Sequence, residues 1–266
     1  MTKSLITILH YNTVKYTDTI YEMLKPYERD DYELVVIDNG SDLDKCSKYT
    51  TYKSDENVYF GGALDMAMQL FIENKQYDSF GFYSSDIMLH GNNFVKTLRE
   101  QLFKQKDLMV ISPCVLQPEK SQCYWKQMHC WNSTEIRIVP FVDYMCPLMK
   151  REFVEKVQSF GSKYGWCQDL MTGFICEDNN WKIGVCDWTP IIHISNGTVK
   201  ESPHLSNYNI LAQQEMDEYF FKRKLTDRAS QLKIKGASYV YTDNLKTEDL
   251  YRLRDEVEQE VKQKII

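Results

Sequence analysis

The strongest constraint on this chain's fold is an alternation of short apolar runs with amphipathic stretches, sustained as far as Ser112. Ser4-Leu-Ile-Thr-Ile-Leu9 reads as a buried strand. From Tyr16 to Tyr27, Ile20, Met23, Leu24 and Tyr27 recur at helical spacing. Tyr32-Glu-Leu-Val-Val-Ile37 is a second β-rich run, and a helix over 61–75 opens on Gly61-Gly62. Ser79 to Tyr83 is another strand, followed by a helix near 92–105 and a strand over Leu108-Met-Val-Ile-Ser112. This order predicts an α/β fold, its central sheet mostly parallel and flanked by helices. Such sheets bind ligands beyond the carboxyl ends of their strands.

The second half is less regular. Residues 113–135, with Pro113, Pro118, Trp125 and Trp131, read as a long loop or short antiparallel strands. Ile136 to Val142 is strand-like, Lys150 to Ser159 and Cys167 to Cys176 are helical, and Ile183 to Cys186 is a short strand. The expected division is a first domain over 1–202 and a charged C-terminal helical extension over 203–266. Within the extension, Leu250, Leu253, Val257 and Val261 recur at three- and four-residue spacing. That pattern suits a self-association helix, hence a homo-oligomer, or an amphipathic helix packed on its own domain.

Composition excludes some classes. A net charge of −6 gives no footprint for a nucleic-acid partner. No apolar stretch approaches the ~20 residues of a membrane span, and Lys3 leads into a short strand, not a secretory leader. The eight cysteines show no Cys-x-x-Cys pair and no finger spacing, so a zinc site is not expected. Free thiols and a cytoplasmic location are the expectation; the sequons at Asn132 and Asn196 are then incidental.

Several strand ends carry chemistry. Phe82-Tyr-Ser-Ser-Asp86 is an apolar run ending on one carboxylate. Asp86 can share a divalent cation with phosphates and water, because hard cations take oxygen ligands. Asp38-Asn-Gly-Ser41 follows a Val-Val-Ile strand; it is also plain turn chemistry. Gly61 and Gly62 at a helix start leave N–H groups for an anion such as a diphosphate. They match neither Gly-x-Gly-x-x-Gly nor a P-loop, which disfavours a Rossmann oxidoreductase. A nucleotidyltransferase is disfavoured because His10-Tyr-Asn-Thr-Val-Lys15 lacks a glycine-rich loop. Gly165-Trp-Cys-Gln-Asp-Leu170 puts Asp169 beside Trp166, a base candidate next to a sugar-stacking surface, or simply a helix cap. His193 follows an apolar pair and is a second metal-ligand candidate beside Asp86, or a satisfied loop histidine. Trp125, Trp131 and Trp166 are candidates for an acceptor surface.

In this order the pieces resemble a family 2 glycosyltransferase of the GT-A fold, its rhamnosyltransferase-like members in particular, over residues 3–200. Val35-Val-Ile-Asp-Asn-Gly-Ser41 is similar to that family's Val-Val-Asp-Asn-x-Ser signature. Ile8-Leu-His-Tyr-Asn12 stands at the end of its first strand, and Asn57 with Gly61-Gly62-Ala63 is similar to its Asn-x-Gly-x-x-x-Ala segment. Phe82-Tyr-Ser-Ser-Asp86 sits where the family has Asp-x-Asp, with Ser84 in place of the first acid. Met149 to Val157 with Phe160 resembles its Arg-Arg-x-x-Phe stretch. Gln168-Asp169 stands in place of its Glu-Asp pair, and His193 with Gly197-Thr198 in place of its His-x-x-Gly-x-Ser element. The resemblance implies transfer of a hexose or deoxyhexose from a UDP-, GDP- or dTDP-sugar to an acceptor hydroxyl, a glycan or another, with inversion. His10, Tyr11, Asn12, Asp38, Asn39, Ser41, Asn57, Phe60, Gly61, Ser85 and Asp86 would bind the nucleotide-sugar. Asp86 and His193 would hold Mn²⁺ or Mg²⁺, Asp169 would be the base, and Trp166 and Gln168 would meet the acceptor. The substitutions at Ser84 and Gln168 leave open a degenerate GT-A-like protein that binds a nucleotide-sugar or glycan without turnover.

Overall fold

The computed structural model describes residues 2–28, 31–91, 93–116, 123–194, 198 and 202–239. The apolar repeat over 250–261 lies outside them, as does Gly197. Four strands build the parallel half of the sheet: β1 (Lys3–His10), β2 (Tyr32–Asp38), β3 (Thr50–Lys53) and β4 (Tyr77–Ser84). β1 and β2 are near-continuous apolar runs because both faces are covered; Ile6, Ile8 and Val36 have no exposed surface. Helices α1 (Val14–Leu24) and α2 (Tyr59–Glu73) are the crossovers.

The other half is mixed. Its strands are β5 (Ile87–Leu89), β6 (Leu108–Val115), β7 (Arg137–Val139), β8 (Leu148–Lys150) and β9 (Lys182–His193). The order is β3-β2-β1-β4-β8-β6-β9-β5, with β7 on β9. β8 runs antiparallel to both β4 and β6, while β6 and β9 are parallel. The parallel expectation therefore holds for β1 to β4 and for β6 with β9, whereas β8 joins the halves antiparallel to both and β5 and β7 run antiparallel to β9. Helices α3 (Phe94–Lys104), α4 (Arg151–Val157) and α5 (Gln168–Asp178) complete the layers.

Two C-terminal helices follow, α6 (Tyr208–Lys222) and α7 (Thr226–Ala237). They join α5 in a second apolar core of Phe141, Leu170, Phe174, Met216, Phe220 and Leu232. The packing is close: a Cβ on Gly173 would stand 2.6 Å from a Leu232 methyl. Among the described residues no helix is long and apolar enough to cross a membrane.

Candidate functional site

A cavity of about 680 Å³ opens beyond the carboxyl ends of β1, β2 and β4. Ten of the expected site residues line it: Tyr11, Asn39, Asn57, Phe60, Ser85, Asp86, Trp166, Gln168, Asp169 and His193. They arrive from six segments far apart in sequence.

Local chemistry explains the placement. β2 ends at Asp38, and Gly40 turns the chain with φ +75 where a Cβ would stand 2.4 Å from the Glu56 carbonyl carbon. That close approach lets Asn39 donate to Asn57 Oδ1 at 3.0 Å and accept from the Val58 N–H at 2.9 Å. Ser85 contacts the Thr13 hydroxyl at 2.9 Å, tying the β4 turn to α1. β5 pairs antiparallel with β9, with Ile87 opposite His193. That register, with the Ile194 N–H on the Asp86 carbonyl at 2.6 Å, sets Asp86 beside the histidine. Asp86 Oδ1 and His193 Nε2 are 3.5 Å apart, their side chains 13% and 22% exposed.

This pair passes a fit test for a hard divalent cation. Two ligands at ~2.1–2.2 Å from one ion, 90–110° apart, stand about 3.0–3.6 Å from each other. An oxygen and an imidazole nitrogen facing one cavity at 3.5 Å match that spacing. A second cluster, Cys114, Cys130 and Asp187, brings ligand-type atoms within 4.8 Å. It does not suit a cation, because the Arg137 guanidinium already sits on Asp187 at 2.7 Å.

Asp169 lies in the first turn of α5, half-buried, with Asp143 nearby. Burial holds the Asp169 carboxyl well above the usual carboxylate range; the Asp143 charge adds to this and the Tyr144 N–H opposes it. Asp143 is also raised, by burial first, with His193 and the same N–H pulling down and Asp86 pushing up. Sequence reasoning passed over Asp143. The signal was there, for it ends the apolar run Ile136–Val142 as Asp86 ends Phe82–Ser84.

Five expected ligand-binding residues do not line the cavity. His10 is fully buried, Nδ1 at 2.7 Å from the Thr17 hydroxyl and Nε2 at 2.8 Å from the Lys45 carbonyl. Burial lowers its pKa, so it is a neutral strut under the β1 end. Asn12 bridges to Ser41 and Asp42: its N–H donates to Ser41 Oγ at 2.9 Å, and its Oδ1 accepts from the Asp42 N–H. Gly61 gives its N–H to the Lys163 carbonyl at 3.0 Å, and a Cβ there would stand 1.8 Å from the Ser162 carbonyl oxygen. Its role is close packing of α2 on the 162–165 loop, not anion binding. Asp38 is buried behind the lining; Oδ1 accepts from the Ser41 N–H at 2.8 Å while Oδ2 has no partner among the described residues. Of the tryptophans, Trp125 and Trp166 reach the cavity, whereas the Trp131 indole donates to the Lys126 carbonyl.

The far wall comes from the C-terminal part of the chain, where Leu205, Tyr208, Met216 and Lys233 line the cavity together with Trp125 and Trp166. Glu215 on α6 secures it, accepting from Ser162 Oγ and from the N–H groups of Lys163 and Tyr164. The charge of the whole cavity is uneven. Three carboxylates, Asp86, Asp143 and Asp169, line it together with His193, and Lys233 is the one Lys or Arg among the described lining residues.

No family model and no curated protein matches the chain. Solved structures do. A mannosyltransferase from Pyrobaculum calidifontis, in complex with GDP-Man and Mn²⁺, is 16% identical with a TM-score of 0.52, over 72% of this chain and 56% of that one. GalNAc-T7 with UDP, GalNAc and Mn²⁺ is 12% identical, TM-score 0.55, over 73% and 44%. Glucosyl-3-phosphoglycerate synthase from Mycobacterium tuberculosis, with Mn²⁺, UDP and phosphoglyceric acid, is 13% identical, TM-score 0.52, over 75% and 78%. The chain thus spans about half the length of the first two. At these identities the likeness establishes the fold, and the fold is GT-A.

Proposed function

We propose that this chain is a nucleotide-sugar-dependent glycosyltransferase, similar to family 2 members of the rhamnosyltransferase-like kind. The observation that carries the reading is the meeting, in one cavity, of the Asp86–His193 pair with Asp169 and an aromatic wall. Nucleotide-sugars or UDP, with Mn²⁺, occupy the three neighbours, which supports the same ligand class here. On this reading residues 1–202 form the transferase domain and 203–266 a C-terminal extension, of which the described part closes the acceptor side. The eight unpaired thiols suit a cytoplasmic setting.

The roles follow from placement. Tyr11, Asn39, Asn57, Phe60 and Ser85 line the nucleotide side. The unpartnered Asp38 Oδ2 is a buried acceptor one residue behind that wall, where a nucleoside donor group would relieve it. Asp86 and His193 would hold Mn²⁺ or Mg²⁺, which when bound neutralises charge on a leaving diphosphate. Asp169 takes the proton of the acceptor hydroxyl as that oxygen attacks the anomeric carbon from the face opposite the diphosphate, inverting it. Trp166 offers a ring to the acceptor sugar and Gln168 an amide.

A second reading rests on one observation. Burial, and then the Asp143 charge, raise the pKa of the Asp169 carboxyl where it lines the cavity beside Asp143, and a carboxyl raised far enough to keep its proton would be no base. A protein that binds without turnover fits that state. Transfer assays with UDP-, GDP- and dTDP-sugars separate the two. Product of inverted anomeric configuration, lost in Asp169→Asn, supports the transferase; nucleotide binding without hydrolysis or transfer supports the second reading.

A further inference from the structure

The α7 helix carries an anomaly. Its buried residues are Ala229, Leu232 and Gly236, spaced three and four apart as an inward stripe must be. Lys233 belongs to that stripe by position, four after Ala229 and three before Gly236. A long cation on the packed side of an amphipathic helix is unfavourable unless something receives it.

The other cations of α7 are received. Arg228 donates to Glu177 and Asp178 at 2.8 and 2.7 Å. Lys235 lies 3.6 Å from Glu177. Lys233, half-buried, has neither an acid nor a hydrogen-bond acceptor among the described residues. It opens on the cavity with Trp125, Trp166 and Met216. α7 itself packs on α5, whose first turn carries Gln168 and Asp169, and on the turn over 126–128 next to Trp125. The ammonium therefore belongs to the acceptor end of the cavity.

A second orphan stands on the same wall. Gln168 is 1% exposed and lines the cavity, yet its Oε1 has no partner among the described residues. A buried amide oxygen without a donor points to a ligand that brings one. A hydroxyl-bearing ring against Trp125 or Trp166, both on this cavity, would give Gln168 a hydroxyl and leave Lys233 to be matched by an anion.

We propose that this cavity takes an acidic saccharide as acceptor, one bearing a phosphate or a carboxylate, and that Lys233 is the residue that reads the anion. The inference rests on the transferase reading for the word acceptor; the binding it describes stands without turnover. The ammonium is a point charge on a flexible stem, so it favours an anionic group without fixing its geometry. Discrimination against the neutral sugar comes from the orphaned ammonium left behind.

The test is a calorimetric titration of the full chain, without donor, by monosaccharides each in neutral, 6-carboxylated and 6-phosphorylated form. The expected result is at least tenfold tighter binding of one anionic form than of its neutral parent, with a preference that weakens as salt is raised. The carboxylated and phosphorylated arms tell the two sources apart. Lys233→Met keeps the stem and should bring the anionic form to the neutral level, while Lys233→Arg should retain the preference. Equal binding of neutral and anionic forms, a preference that survives Lys233→Met, or no binding by any anionic form overturns the proposal. Absent donor turnover with the anion preference intact would instead sink the transferase reading alone.

Discussion

Replacing Arg137 with Met probes the frame that holds the aromatic wall. Arg137 and Asp187 form an ion pair with side chains 0% and 1% exposed. Burial disfavours the guanidinium's charge, and Asp187 more than offsets it, so Arg137 stays above its usual range. Its Nη1 and Nη2 also donate to the Gln127 and His129 carbonyls, each at 2.8 Å. Asp187 in turn accepts from the Trp131 and Ser133 N–H groups at 3.0 and 2.9 Å. Arg137→Met therefore leaves a buried carboxylate without its cation and two carbonyls without a donor. Breaking a buried pair from one side costs about 3–5 kcal/mol. For a chain of this size that is a fall of roughly 6–20 °C in Tm, at ~2–4 °C per kcal/mol. Urea unfolding followed by tryptophan fluorescence reads it. The double variant Arg137→Met/Asp187→Asn removes both charges and should be milder than the sum of the singles by about 1–3 kcal/mol. A loss under about 1 kcal/mol for Arg137→Met, or strict additivity, would refute the reasoning.

Three further outcomes are expected. Asp169 has a raised folded pKa, so the native state holds its proton more tightly than the unfolded chain. Its stabilising effect is present at low pH and is lost as pH rises from the ordinary carboxylate pKa to the raised one. Asp169→Asn should then raise Tm at pH 7–8 by ~2–4 °C, for a gain of about 1 kcal/mol, with no gain at pH 3; a loss at pH 7–8 contradicts this. Because the Asp143 charge helps to raise Asp169, Asp143→Asn should move the acid limb of the transfer pH profile to lower pH, and an upward shift refutes it. Gly61→Ala must push the 162–165 loop off α2, costing about 1–3 kcal/mol in chemical denaturation; a neutral result would mean the loop yields freely.

β1, β2 and β4 of the parallel half, and β6 beyond it, were legible because they carry apolar runs whose pattern needs no partner to be seen, whereas β3 (Thr50–Lys53), mostly exposed at the sheet edge, carries none. The three-residue strands β5 and β8 were not, since so short a segment is extended by what it pairs with. β9 was read as ending at Cys186. It runs on to His193 because Asp187, which looks like a strand terminator, is neutralised by Arg137 from β7. In the cavity, the lining positions at strand ends, Asn39, Ser85 and Asp86, were marked by the runs that precede them. Those whose polar groups turn inward, His10 and Asn12, were misread because the sequence does not show which way a strand-end side chain faces. The N–H groups at Gly61 looked bare for the same reason, their acceptor being Lys163 a hundred residues on. Lys233 was lost in a charged helix, where only the spacing of Ala229, Leu232 and Gly236 marks it as inward.

The most direct test of the account is a thermal-shift screen of the full chain with UDP, GDP, dTDP and their sugars, each with Mn²⁺, Mg²⁺ or EDTA. A ligand at a hundredfold its Kd that binds only the folded state adds about 2.7 kcal/mol, hence roughly 5–10 °C here. The account predicts such a shift for one nucleoside diphosphate and its sugar, present with metal, reduced in EDTA and reduced again in Asp86→Ala. No shift with any nucleotide would contradict the nucleotide-sugar site itself, and a shift indifferent to EDTA would remove Asp86 and His193 as metal ligands.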